Sequence, residues 1–283
     1  MNAKRSRLHV LVAAVAGWVT PMAARAQERQ LLHDGDAQID VLIDGDGPAI
    51  VMLPSSQRDS FDFDDVARRI AAAGFKVLRP QPRGMGRSSG PMQGLNLSSL
   101  ARDVATTIQQ LGGGRAVIVG HAFGHFVARV TDLEHPARVR GVVVLGGAAR
   151  EFPPGIANSL AIAADTTRPA DERLAHLRIA FFAPGNDASS WLDGWHPGLR
   201  EAYRGVSAKP PKDAWWPVSN APVLDLQGDA DPWRPAATRD ELKAVLGDKV
   251  TVRVINNASH ALIPEQPAAV TAAIIEWVRA LPP

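Results

Sequence analysis

The stretch Ala116-Val117-Ile118-Val119-Gly120-His121-Ala122-Phe123-Gly124-His125 decides the fold. Its first four residues are an unbroken apolar run, and Phe126-Val127-Ala128-Arg129-Val130 after it carries a helical pattern. Gly120 and Gly124 frame three residues, so glycine stands at both places where backbone must pass close to backbone. A strand is predicted to enter a sharp turn there and to leave it as a helix, with Ala122 at the apex.

Working outward, the elements alternate. Upstream of the turn, Leu100, Val104, Ile108 and Leu111 step along one helix face, and Gly112-Gly113-Gly114 ends that helix as a turn rather than as a phosphate cradle. Residues 75–78 read as a strand, and residues 62–73 as an amphipathic helix with Phe63, Val66, Ile70 and Ala73 on one face and Gly74 closing it. Residues 49–53 are continuously apolar, as in a strand buried on both faces of a parallel sheet. Residues 38–44 alternate with period two, as a half-exposed edge strand should. Downstream, residues 140–145 form another buried strand. Strand, helix, strand, helix in this order implies a right-handed parallel sheet with helices on both faces.

From residue 148 to 217 the pattern changes. Helical pieces and prolines replace buried strands, and Trp191, Trp195, Trp215 and Trp216 fall here, four of the chain's seven tryptophans. The sheet resumes at residues 222–227, followed by Gly228-Asp229-Ala230-Asp231-Pro232, a helix near 236–246, a strand at 251–255, the loop Asn256-Asn257-Ala258-Ser259-His260 and a last helix over 268–281.

The strand, glycine-framed turn and helix resemble the nucleophile elbow of the α/β-hydrolase fold family, G-x-S-x-G, and the resemblance runs from about residue 38 to the C-terminus. It implies an α/β fold: a mostly parallel eight-stranded sheet flanked by helices, with a helical cap inserted after the sixth strand. The implied organisation is a leader at 1–26, core at 27–147 and 218–283, and cap at 148–217. Arg83-Gly84-Met85-Gly86-Arg87-Ser88 resembles the family's R-G-x-G-x-S turn and is read as a structural loop. The family's chain order is nucleophile, acid, histidine. Gly228 to Pro232 resembles its G-x-x-D-P loop, which makes Asp231 the acid and Asp229 the weaker candidate, and His260 matches its catalytic histidine. The oxyanion hole is expected from the backbone N–H of Phe123 and that of Ser56, in the loop Leu53-Pro54-Ser55-Ser56-Gln57. An aromatic-rich cap suits an apolar pocket, which assigns Trp191, Trp195, Trp215 and Trp216 as pocket walls or, equally, as the cap's own core.

Two residues depart from the family pattern. Ala122 stands where the family has serine, and Pro54 where it usually has histidine. Ala122 leaves three readings open: a serine hydrolase whose serine has been substituted, a natural protein that keeps His260 and Asp231 as a base for water or substrate, or a non-catalytic pocket protein. The joint departure at Pro54 favours a natural alanine. The expected substrate is a small apolar ester, lactone or similar carbonyl compound. The alternatives are a silent small-molecule binder and a cofactor-free lyase built on the His260–Asp231 pair.

Composition narrows the partners. With 283 residues, 46% hydrophobic and 21% charged, the chain can fill a large core. It has no cysteine, which removes disulfides, thiol nucleophiles and thiolate metal sites. The pI near 9.2 has a local source. Lys4, Arg5, Arg7 and Arg25 lie in residues 1–26 without an acid; taking these four from the 31 basic residues leaves 27 against 29 acids. No basic-aromatic interleaving suggests nucleic acid. That leader, with basic residues, the apolar run 8–19 and Ala24-Arg25-Ala26, reads as a secretory signal cleaved after Ala26, which implies a periplasmic protein. The apolar run is too short for a stable membrane anchor. His33, His135, His176 and His196 show no metal-ligand spacing, and neither metal nor cofactor is expected. His121 and His125 are read as structural.

Overall fold

The computed structural model describes residues 28–282, so the leader read at 1–26 lies outside the described residues. Eight strands form one sheet: β1 (Glu28–Asp34), β2 (Ala37–Asp44), β3 (Ala49–Leu53), β4 (Lys76–Pro80), β5 (Ala116–His121), β6 (Val139–Leu145), β7 (Val223–Gly228) and β8 (Val250–Ile255). Their order is β1-β2-β4-β3-β5-β6-β7-β8, with β2 antiparallel to both neighbours and every other pair parallel. The uninterrupted apolar runs of β3 and β5 are buried at every residue, because helices cover both faces. Helices α1 (Asp64–Ala72) and α9 (Pro267–Ala280) pack on one face, and α2 (Leu97–Leu111) and α3 (Phe123–Glu134) on the other.

The edge of the sheet is not where the alternating pattern put it. Strand β1, which carries no clear periodicity, is the edge, and β2 is buried at six of its eight positions. The alternation of β2 arises from Asp40, a fully buried carboxylate that receives hydrogen bonds from the side chains of Arg29 and Arg87. A paired buried charge looks like a solvent-facing one in sequence. The Arg83–Ser88 turn belongs to the same device. The Ser88 hydroxyl donates to the Gln81 carbonyl at 2.8 Å and accepts from the Asp40 N–H at 2.9 Å, so this loop is structural.

Between β6 and β7 the chain leaves the sheet and forms α4 (Ile156–Ala163), α5 (Ala170–Ala180), several single turns and α6 (Lys212–Trp215) before returning. This insertion is the cap. It has its own core, in which Ile156, Leu177, Phe181, Phe182, Trp191 and Trp195 pack with Trp233 of the loop after β7. Beyond β7 come α7 (Glu241–Leu246) and, after β8, the short α8 (Leu262–Glu265).

Candidate active site

The elbow is made by two missing side chains. A Cβ on Gly120 would lie 2.4 Å from the Gly124 carbonyl oxygen, and one on Gly124 would lie 2.3 Å from the Leu53 carbonyl oxygen. Both clashes are with backbone, so glycine is required at each, and Gly124 brings the loop after β3 against the start of α3. Ala122 takes φ 46° and ψ −115°, a conformation that costs a non-glycine residue about 1–3 kcal/mol. Its own N–H donates to the Leu145 carbonyl at 3.0 Å, and its carbonyl accepts from the His125 N–H at 3.0 Å and from His125 Nδ1–H at 2.5 Å. The turn therefore keeps its strained shape although the apex carries only a methyl group.

The loops after β7 and β8 meet beside it. A Cβ on Gly228 would fall 2.4 Å from the Ser259 carbonyl oxygen, so this glycine too lets two loops touch. Asp231 is 4% exposed; its Oδ1 accepts from the Trp233 N–H at 2.8 Å and its Oδ2 faces His260 Nδ1 at 3.0 Å. Asp229 is exposed and accepts instead from the Ala258 N–H at 3.2 Å, so of the two acids it is Asp231 that reaches the imidazole. A carboxylate on Nδ1 fixes the proton there and leaves Nε2 as the unprotonated nitrogen. Among the described residues nothing hydrogen-bonds that Nε2.

His260 is also tied to the elbow. His121, the residue before the apex, donates from Nε2 to the His260 carbonyl at 2.8 Å, and the two rings lie 5.6 Å apart. Burial pushes the pKa of His121 down to about 3, with further lowering from His260 and Arg58 outweighing the bond to the His260 carbonyl. His121 is thus neutral, a wedge that joins the β5 turn to the histidine loop. Trp233 at 5.2 Å and Phe181 at 5.8 Å cover the His260 ring, which leaves the residue 4% exposed. The cap is stitched down there: Ala261 N–H donates to the Phe181 carbonyl at 2.8 Å, and Trp233 Nε1–H to the Ala180 carbonyl at 2.7 Å.

On the other side of the apex, among the described residues, the backbone N–H groups of Ser56 and Phe123 have no hydrogen-bond acceptor. Both residues line a cavity, open on one side, between the loop after β3, the loop after β4, α2, α3 and the cap. The cap contributes Leu199 and Tyr203 to its wall. None of the four expected tryptophans is part of it. Trp191 and Trp195 are buried in the cap core, and Trp215 and Trp216 fill the seam between cap and α3, where Trp215 packs on Phe126 at 5.0 Å. An insertion without a sheet of its own needs such large rings as its core.

Sequence reasoning missed Arg58. It is 3% exposed, with its guanidinium 4.5 Å from the Trp191 ring and 4.8 Å from that of Trp195. Nε and Nη2 donate to the two carboxylate oxygens of Asp62, and Nη1 donates to the Asp193 carbonyl at 2.7 Å. The Gln57 carbonyl accepts from the His196 N–H at 2.9 Å, and His196 Nε2 pairs with Asp59 at 2.8 Å. The loop bearing Ser56 is therefore fastened to the cap. Arg58 lies in no motif, and the available hint was an isolated arginine between polar residues.

A family model for the alpha/beta hydrolase family matches residues 50–274. The chain belongs to the alpha/beta hydrolase family. Epoxide hydrolase A of Mycobacterium tuberculosis is 24% identical, with 83% of this hydrolase-family chain and 91% of that protein aligned. Bifunctional epoxide hydrolase 2 of Sus scrofa is 33% identical over 103 residues, 36% of this chain, and the chain spans about a fifth of that relative's length, 19%. Among solved structures, an esterase from Exiguobacterium antarcticum superimposes with a TM-score of 0.70 at 20% identity, covering 86% of this chain and 96% of the esterase. At that identity the likeness speaks for the fold alone.

Proposed function

We propose that this protein hydrolyses a small apolar ester or lactone by direct attack of water, with His260 as general base, Asp231 holding its tautomer, and the N–H groups of Ser56 and Phe123 receiving the developing oxyanion. The observation that carries this reading is the His260–Asp231 contact at 3.0 Å, with Nε2 unbonded among the described residues and the imidazole tied to the residue next to the apex. Water beside the Ala122 methyl gives its proton to Nε2 while its oxygen bonds to the carbonyl carbon. The carbonyl electron pair moves onto the oxygen held by the two N–H groups. Collapse of that tetrahedral species expels the alkoxide, which takes the proton back from His260. No acyl-enzyme forms, because Ala122 has no oxygen.

Magnitudes limit the rate. Loss of the nucleophile in a serine hydrolase removes on the order of 10⁶ in turnover, whereas oxyanion donors and binding retain about 10³ over water. Slow turnover is therefore expected, and short-chain p-nitrophenyl esters measure it. Activity of the chain as it stands that His260→Ala abolishes supports water attack. Silence of the chain with activity in Ala122→Ser assigns a hydrolase scaffold lacking only its nucleophile. Silence of both supports the second reading, a non-catalytic binder of such compounds, which the missing hydroxyl and the closely covered His260 favour. Because relatives carry the name epoxide hydrolase, styrene oxide belongs in the same assay: water activated by His260 can open an epoxide carbon as well as a carbonyl. The leader pattern of residues 1–26 supports work in the periplasm, and the N-terminus of protein recovered from that compartment, Gln27, is the check.

A further inference from the structure

The loop that carries His260 is held on two sides. Toward the core, the Ala230 N–H donates to the Ala258 carbonyl at 2.9 Å, and the His260 carbonyl accepts from His121 at 2.8 Å. Toward the cap, besides the bond from Ala261 to Phe181, the loop meets one side chain that the proposed hydrolysis does not use. Glu265, half-buried at the end of α8, accepts from the Ser259 N–H at Oε2, 2.6 Å away. Its other oxygen, Oε1, accepts from the Ala183 N–H at 2.6 Å and from Asn186 Nδ2–H at 2.7 Å, both in the cap segment after α5. The same asparagine donates to the Asn257 carbonyl at 2.9 Å, and Asn257 Nδ2–H returns a bond to Asn186 Oδ1 at 3.2 Å. Two irregular stretches, 183–186 of the cap and 257–259 of the histidine loop, thus meet on a single carboxylate. An ionised carboxylate only accepts, so it can satisfy N–H groups from both stretches at once. Bonds to a charged acceptor are also stronger than bonds between neutral groups. None of Glu265, Ser259, Ala183 and Asn186 lines the cavity beside the apex.

We infer that Glu265 is a positioning residue for His260: it sets the imidazole by holding the N–H of the preceding residue, and it makes that setting depend on where the cap lies. This role presupposes that His260 is the base proposed for the hydrolysis. Releasing the Ser259 N–H frees the peptide next to the one from which the imidazole hangs. The reach of a base to its reacting atoms tolerates little movement, a misplacement of about 1 Å costing on the order of 10²-fold in rate. A cap that lifts at 183–186 therefore slackens the base, and a cap that settles there sets it.

Glu265→Gln tests this in the full chain with nearly the same side-chain shape. One end of the amide is a donor, so it cannot meet N–H groups at both ends. Turning its oxygen to the cap keeps two bonds and turning it to Ser259 keeps one, so the Ser259 bond is the one lost. Hydrogen exchange of the Ser259 N–H should quicken at least about tenfold, the scale of a lost bond to a charged group. The low-field NMR signal of the His260 Nδ1–H bonded to Asp231 should broaden or vanish. Asn186→Ala keeps the carboxylate on Ser259 but loosens its cap end, and should quicken the same amide about threefold. Ile108→Val, a truncation in the core on the α2 face of the sheet, should change neither. In whichever form hydrolyses p-nitrophenyl esters, the chain itself or Ala122→Ser, Glu265→Gln should lower kcat at least about tenfold with KM within about twofold, the pattern of a residue that acts on the chemical step alone. An unchanged Ser259 amide or an unchanged His260 signal in Glu265→Gln overturns the inference, as do equal changes in Ile108→Val or a raised KM with kcat intact. Should Glu265→Gln not fold, a Ser259 amide no faster in Asn186→Ala overturns it as well. If exchange and the His260 signal respond as expected while neither form turns over esters, the positioning of the imidazole stands and the hydrolytic reading falls.

Discussion

The two flanks of Ala122 are held in place by different forces. On the His260 flank, loops of the core touch through glycine, and a neutral buried histidine donates to the His260 backbone. On the Ser56 flank, a buried guanidinium lies against two cap tryptophans while paired with a core carboxylate. The loops bearing Asp231 and His260 are thus joined to the core through Gly228 and His121 and to the cap through Phe181 and Ala180, whereas the loop after β3 meets the cap through Arg58 and Gln57. Loss of Arg58 alone loosens the loop after β3 while the bonds from Ala261 and Trp233 to the cap remain.

Breaking the cap-borne flank should cost most. Arg58→Ala strands the carboxylate of Asp62, which burial already pushes above the usual carboxylate range, and removes the stack on Trp191 and Trp195. A loss of about 3 kcal/mol in urea unfolding is expected, the scale for removing one partner of a buried ion pair. Hydrogen exchange should quicken at 54–60 and 188–196, while the loops carrying Asp231 and His260 keep their protection. Uniform quickening across both flanks would erase the contrast.

The core-borne flank is sensitive to acid instead. His121 titrates near 6.5 when unfolded and near 3 when folded, so between those values the unfolded chain binds the extra proton. Stability then falls as pH falls, fully retained above about 6.5, and each unit below it costs about 1.4 kcal/mol. From pH 7 to pH 5 the loss from this residue is about 2 kcal/mol. His125, held well below its usual value by burial and by Arg129, acts in the same direction. His121→Gln keeps a donor for the His260 carbonyl and cannot be protonated, so its unfolding free energy should decline less steeply over that range. An unchanged slope would mean that His121 is not the neutral wedge.

How much of this was legible in the sequence follows the same division. The elbow, Asp231 and His260 could be found because their geometry needs glycine and short polar loops at set places in the chain, and those leave a local mark. The edge strand was misplaced because Asp40, buried between Arg29 and Arg87, mimics a solvent-facing residue. Arg58 and the true cap wall, Leu199 and Tyr203, were illegible because they depend on where an insertion of irregular turns lands on the core. The tryptophans were visible, but an aromatic ring can fill a core or line a pocket, and sequence alone does not separate the two.

At the apex between the flanks, the smallest effect asks why the turn survives without its nucleophile. Ala122 sits at φ 46° and ψ −115°, in a region where a Cβ is strained and glycine is not. The close approaches at Gly120 and Gly124, with the bonds from Ala122 N–H to Leu145 and from His125 to Ala122 O, hold it there. Ala122→Gly removes the strain but adds freedom to the unfolded chain, terms of about 1–3 and 0.5–1 kcal/mol that oppose each other. The balance predicts stabilisation of about 1 kcal/mol in chemical denaturation, with the slope against denaturant unchanged. A destabilised glycine variant would show that the methyl is packed favourably enough to offset its backbone strain, leaving less room beside it for an attacking water. Stabilisation would show instead that the neighbours impose the turn and that alanine merely tolerates it.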